Sequence, residues 1–231
     1  MQGDEVYAVL ERIGAERLHH ANTVTTCCTF LEQGGLASRG FVEDRHLSQT
    51  AQLASDEIDK RYGIWHDVFL DHVDIHYRAG RVKGPNHYGP VLFMLNLDIL
   101  LRLPTGSDVR VTKTNPVHWF NGQPEGDRWF QSPEELAANL AFGNFEKMLV
   151  IRTPSTMIPF PDKRAQIALD DPKKNVSCGE DAYSSASKRL MTAATAGNVK
   201  VVIAPHECRN DCTCVEKYAC YAPAGMDLWF T

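Results

Sequence analysis

The sequence predicts a mixed α+β fold, on three observations. Short apolar, partly β-branched runs near Val68, Val91, Val109, Met148 and Val199 read as strands. Helical spacing with cap residues marks segments toward both ends of the chain. Gly-Gly, Gly-Pro and Gly-Asn steps break the runs into short elements. With 231 residues, 43% hydrophobic and 23% charged, the composition is that of an ordinary globular chain without repeats or low-complexity tracts.

The elements follow in order. Asp4 reads as the cap of a first helix carrying Val6, Val9, Leu10 and Ile13 on one face. Thr25 or Thr26 can cap a second helix, which turns Phe30 and Leu31 inward and stops at Gly34, a residue suited to the left-handed position. A strand begins near Val68, and Tyr88-Gly89-Pro90 leads into an apolar run from Val91 to Leu101 that reads as a central strand. Ser132-Pro133-Glu134-Glu135 is a strong helix start, with Ser as cap and Pro at the first position. That helix, Glu134 to Phe142, breaks at Gly143-Asn144, and Glu146 then opens a buried strand through Arg152. Pro161 to Ser177 is polar and loop-like, Ser184 to Ala196 is helical, and Val199 to Ala204 is a last strand.

No apolar run approaches the ~20 residues that span a bilayer, and the N-terminus lacks the regions of a signal peptide, so a cytoplasmic protein without a membrane partner is expected. The net charge of −5 argues against a general polyanion-binding surface but not against a local one. Arg39, Arg45, Arg61, Arg78, Arg81 and Lys83 fall near Trp65, Tyr77 and Tyr88, a mixture that suits a single nucleic-acid strand and equally a solvated loop region.

The segment from His20 to Arg39 carries the most chemistry: His20, Asn22, Thr23 and Thr26 before a helix, then Gly34-Gly35-Leu36 and Ser38-Arg39. An imidazole beside a helix N-terminus can hold an amide or a ribose hydroxyl. This stretch resembles the opening of DarT-type ADP-ribosyltransferases, which read His-x-Thr-x-x-x-Asn, then a helix, then Gly and Leu. His20 to Gly34 aligns without a gap, although Asn22 and Thr26 have exchanged the family's polar types. Two further segments keep the family's order. Ile64-Trp65-His66-Asp67-Val68-Phe69 occupies the place of a "Leu-His-Asp-Tyr" stretch, and Glu146 stands where the family has its catalytic glutamate. The resemblance covers roughly residues 18 to 160.

What the resemblance implies is an ADP-ribosyltransferase-like split, strongly bent sheet flanked by short helices, with NAD as substrate in the cleft. Residues 1–160 would form the catalytic region, and 161–231 an extension completing the same domain. Glu146 would be catalytic, and Arg61 would hold the pyrophosphate, with Arg39, Arg45 and Arg78 as rivals. His20 and Asn22 would fix the nicotinamide end, Trp65 or Tyr88 would stack on a ring, and Thr23, Thr26, Gly35, Leu36 and Arg39 would complete the contacts. The acceptor would be a base in single-stranded DNA or RNA, and a toxin of this kind implies an antitoxin or immunity partner.

The residues leave other readings open. His66, Asp67, His72, Asp74 and His76 are crowded enough to suggest a metal-dependent nuclease or hydrolase, and a non-enzymatic NAD-fold binding domain is a third possibility. His206, Cys208, Cys212, Cys214 and Cys220 place four Cys and one His within fifteen residues. Structural zinc, reduced thiols and disulfides are all compatible with that cluster, whose spacing fits none of the common zinc knuckles. Cys27, Cys28 and Cys178 read as packing residues.

Overall fold

The structure, a computed structural model, describes residues 1–51, 53–74, 88–144, 147–206 and 216–231. Helix α1 (Gly3–Arg12) buries Val6, Val9 and Leu10, as its periodicity predicts. Its cap is Gln2 rather than Asp4, and the Gln2 amide donates to Glu5 Oε2 at 2.7 Å. Strand β1 (Arg17–Asn22) was not legible, because its His-His pair masks the alternation. Helix α2 (Val24–Gln33) is capped by Thr23, ahead of the expected Thr25 or Thr26, and ends at Gly34 with φ 76°.

Strand β2 (Gly35–Ala37) and helix α3 (Arg39–Asp44) follow, the latter capped by Ser38, whose hydroxyl accepts from the Phe41 amide at 3.1 Å. Helix α4 (Leu53–Arg61) precedes strands β3 (Val68–Leu70) and β4 (Val91–Asn96). The central apolar run thus stops being a strand at Asn96. Residues Leu97–Arg102 coil into a 3₁₀ turn that buries Leu97, Ile99 and Leu100 against α1, whose Gly3 lies where a Cβ would sit 2.2 Å from the Leu100 carbonyl oxygen.

Strand β5 (Asp108–Val111), the short helix α5 (Glu125–Arg128), helix α6 (Pro133–Asn139) and strand β6 (Leu149–Arg152) come next. Ser132 caps α6 as expected, but the helix ends three residues early. Strand β7 (Met157–Pro159) leads to β8 (Arg164–Leu169), which lies inside the stretch expected to be loop. Its inward Ala165, Ile167 and Leu169 are separated by polar or small residues, so the alternation of a sheet strand is present but short. Helix α7 (Ala182–Ala196), strand β9 (Lys200–Pro205), and helices α8 (Glu216–Ala219) and α9 (Pro223–Phe230) complete the chain.

The strands form a four-stranded sheet in the order β1-β4-β8-β9, a three-stranded sheet β3-β6-β5, and the pair β2-β7. All pairings are antiparallel except β8 with β9. The two larger sheets meet where His19 and Asp71 exchange backbone hydrogen bonds of 2.7 and 2.9 Å. A main core centred on Phe30, Phe93 and Leu190 lies under α2 and α7, which approach so closely that a Cβ on Gly197 would sit 2.0 Å from the Leu31 carbonyl oxygen. A smaller core of Ile64, Trp119, Trp129 and Val150 covers the other face of β6.

Buried charge is concentrated at Asp67, whose fully buried carboxylate accepts from Arg110 Nη2 at 2.6 Å and Arg152 Nε at 2.8 Å. Asp67→Ala should cost about 2–3 kcal/mol in urea unfolding, because two guanidiniums lose a charged partner; an unchanged midpoint would show that the clamp does not support the fold. His72 sits beside the backbone carbonyls of Ala141 and Lys147, and burial pushes its imidazole down to about 4. The unfolded chain therefore takes up a proton near pH 6.5 that the folded chain refuses until about pH 4. Stability contributed by His72 is present above pH 6.5 and is lost as pH falls toward 4, by about 3 kcal/mol in total. The loss between pH 7 and about pH 4.5 should be smaller in His72→Asn; an equal loss in both proteins would rule the assignment out.

Candidate functional site

Where the two sheets part, they leave a cleft of about 590 Å³. It is lined by β1 and β3, by the start of α3 with α4, and by Asn115, Pro116, Met148 and Trp229. The volume lies within the range that encloses small-molecule ligands.

His20 is oriented from below. Its Nδ1 lies 2.8 Å from the Phe69 carbonyl, which can only accept, so Nδ1 carries the proton and Nε2 is left as an acceptor. Burial, partly offset by that bond, pushes the imidazole below its ordinary value, and the nearby Arg39 charge acts in the same direction as burial. The ring is therefore neutral at physiological pH, with Phe30 edge-on at 5.4 Å. Asn22, 6% exposed, accepts from the Thr23 amide at 2.9 Å and turns its Nδ2 toward His20 Nε2 at 3.5 Å.

Arg39 enters from the first turn of α3. Asp56 holds its Nε at 2.7 Å and its Nη2 at 2.9 Å, and the Thr50 carbonyl accepts from Nη2 at 3.0 Å. Its Nη1 is buried without a partner among the described residues, so one face of a fixed guanidinium remains for an anion. Asp59, on the next turn of α4, also faces the cleft, and burial with the charges of Asp56 and Asp67 raises its carboxyl to about 7.

The expected contacts divide into three sets. His20, Asn22, Arg39 and Tyr88 line the cleft. Thr23, Thr26, Gly35 and Leu36 are buried just behind it. The hydroxyls of Thr23 and Thr26 engage Thr50, by 2.7 Å to its Oγ1 and 3.0 Å from its amide, and so fix the loop that steadies Arg39. Gly35 admits the Ile158 carbonyl of β7, which a Cβ would meet at 2.5 Å. Arg61 and Trp65 stand outside the cleft lining. Arg61 is exposed, and Trp65 braces α3 to α4 by donating to Glu43 Oε2 at 2.7 Å while Lys60 and Arg39 lie over its ring. Glu146 lies outside the described residues; Met148, two positions on, lines the cleft.

Asp59, Asn115 and Trp229 line the cleft without having been singled out. Asn115 carried a signal, since an Asn before Pro is a turn starter. Trp229 and Asp59 did not, because their helices meet the cleft through tertiary packing.

The metal-site residues do not converge. His66 is exposed, Asp67 is taken by two arginines, His72 is enclosed by backbone carbonyls, and Asp74 Oδ2 lies 2.9 Å from His206 Nε2. Among the described residues no three His, Cys, Asp or Glu side chains come together to hold a metal. His76, Arg78, Arg81 and Lys83, and the Cys208, Cys212 and Cys214 of the Cys-rich segment, lie outside the described residues, and Cys220 is exposed. Among the described residues, no helix is long and apolar enough to cross a membrane.

Gly89 sets the cleft edge: at φ 134° it rests on Asn22, and a Cβ there would lie 2.3 Å from the Asn22 carbonyl. Gly89→Ala should therefore lose more than about 2 kcal/mol in chemical unfolding, combining backbone strain with displacement of Asn22. A midpoint equal to that of the wild type would contradict this contact.

No family model and no curated protein matches the chain. Among solved structures, the chain is similar to a DarT of Thermus sp. 2.9 in complex with ADP-ribosylated single-stranded DNA, at 11% identity and a TM-score of 0.46, over 82% of this chain and 94% of that one.

Proposed function

We propose that the cleft binds NAD and that the protein transfers ADP-ribose to a base in a single-stranded nucleic acid. One observation carries this reading. His20, Asn22 and Arg39, drawn from the one segment whose sequence resembles the family's NAD-binding opening, converge on the same cleft as a neutral hydrogen-bonding pair and a fixed guanidinium. Two of the ligand's chemistries are served at once, an amide-bearing ring by His20 and Asn22 and a pyrophosphate by Arg39. Arg39 takes the part expected of Arg61, because its side chain faces the cleft. Tyr88 offers a ring for stacking.

The chemistry breaks the bond between nicotinamide nitrogen and ribose carbon. The electron pair leaves with the nicotinamide, and positive charge grows on the ribose. Glu146 would hydrogen-bond a ribose hydroxyl, stabilise that charge and take the proton released when the acceptor nitrogen attacks. Met148 in the cleft lining, two residues from Glu146, supports that role. The acceptor class, the action as a toxin and the need for an antitoxin or immunity partner follow the motif resemblance.

The test is incubation with labelled NAD and three acceptors: single-stranded DNA, single-stranded RNA and total cellular protein. Label is expected on one nucleic acid, reduced about 100-fold or more in Glu146→Gln. Arg39→Gln should raise the KM for NAD about 10-fold, the loss of one charge-assisted contact. Full transfer by Glu146→Gln, or no transfer and no released nicotinamide from the wild type, would defeat the proposal.

A further inference from the structure

Asp59 feels the charges of two other carboxylates, Asp56 and Asp67, and both of those are neutralised. Asp56 is paired with Arg39 at 2.7 Å, and Asp67 with Arg110 and Arg152 at 2.6 and 2.8 Å. Asp59 is different. It is 8% exposed, it lines the cleft, and among the described residues no donor reaches its carboxyl. A carboxyl that faces the cleft without a protein donor leaves its hydrogen-bonding capacity to a ligand, so a ligand that satisfies it gains affinity.

Resting on the NAD reading of this cleft, we propose that Asp59 reads a neutral donor–acceptor edge of the dinucleotide, the pairing offered by the nicotinamide carboxamide or by the amino edge of adenine.

The electrostatic surroundings select this edge. The charged groups facing Asp59 are Asp56 of its own helix, Arg39 of α3 and Asp67 before β3, and the sum of their effects with burial favours the neutral acid up to about 7. As an acid, the carboxyl presents one O–H donor and one acceptor side by side, which complements a group that both accepts and donates. Pyrophosphate is not complementary, because ionised Asp59 would repel it, and it falls instead to Arg39. Burial moves the titration of His20 to the acid side of its ordinary value, away from the range in which Asp59 ionises.

The experiment is calorimetric titration of NAD into the wild type, Asp59→Asn and Asp59→Ala at about pH 6 and about pH 8.5. The Kd of the wild type should rise about 10-fold between the two as the acid ionises. Asp59→Asn, neutral at both pH values with the same pair of functions, should bind tightly and without that rise, which also serves if Asp59→Ala fails to fold. Asp59→Ala should bind about 10-fold more weakly at the lower pH. Two analogues locate the edge. Nicotinic acid adenine dinucleotide replaces the carboxamide and nicotinamide hypoxanthine dinucleotide replaces the adenine amino edge; the analogue insensitive to Asp59→Ala names the partner. Binding of NAD by Asp59→Ala as by the wild type, an Asp59→Asn that keeps the wild-type pH dependence, or a penalty that persists with both analogues would overturn this inference alone. Absence of NAD binding by the folded wild type at either pH would overturn the NAD reading and this inference with it.

Discussion

The backbone exchange between His19 and Asp71 is the constraint on which the cleft depends. It joins the four-stranded and three-stranded sheets at one place, with bonds of 2.7 and 2.9 Å, and leaves them free to diverge beyond it. Because side chains alternate along β1, the residue next to that junction presents its ring on the other face, where it bonds the Phe69 carbonyl of β3. The same two strands thus close the base of the cleft and orient its imidazole.

Around that base, polar side chains are held by neighbours before any ligand arrives. Thr23 and Thr26 fix Thr50, whose carbonyl accepts from Arg39, and Asp56 holds the other edge of the guanidinium. Trp65 ties α3 to α4 through Glu43 and so keeps Arg39 and Asp56 in register. Prior orientation lowers the ordering cost that a ligand would otherwise meet on binding. The clamp of Asp67 by Arg110 and Arg152 does the corresponding work between β3, β5 and β6.

Local signals in the sequence were readable where local forces decide. Ser132 and Pro133 start a helix, Gly34 ends one in the left-handed region, and the apolar runs at Val68, Val109 and Met148 yield strands. Strand β1 was hidden because His19 and His20 are polar residues whose burial comes from the opposing sheet, not from their own pattern. Strand β8 was hidden because Arg164 and Gln166 interrupt a run with two alanines, yet it lies between β4 and β9. The same division holds at the site. His20, Asn22 and Arg39 are close in sequence and could be read together, while Tyr88 entered through the resemblance. Asp59 and Trp229 reach the cleft only through packing of helices far apart in the chain, and Arg61 stands outside the lining because neighbouring helical positions face different ways.

The cleft draws its walls from the beginning and the end of the sequence. His19 and Trp229 both line it, and the Thr25 hydroxyl at the start of α2 donates to the Thr231 carbonyl oxygen at 2.6 Å. Strand β8, the interior neighbour of β4, is also made late. A nascent chain emerging from the ribosome therefore holds β1 and α2 long before it holds the elements that complete their pocket. Assembly of the cleft waits on synthesis of the helix that carries Trp229, so the residues made first must be held open until that helix arrives.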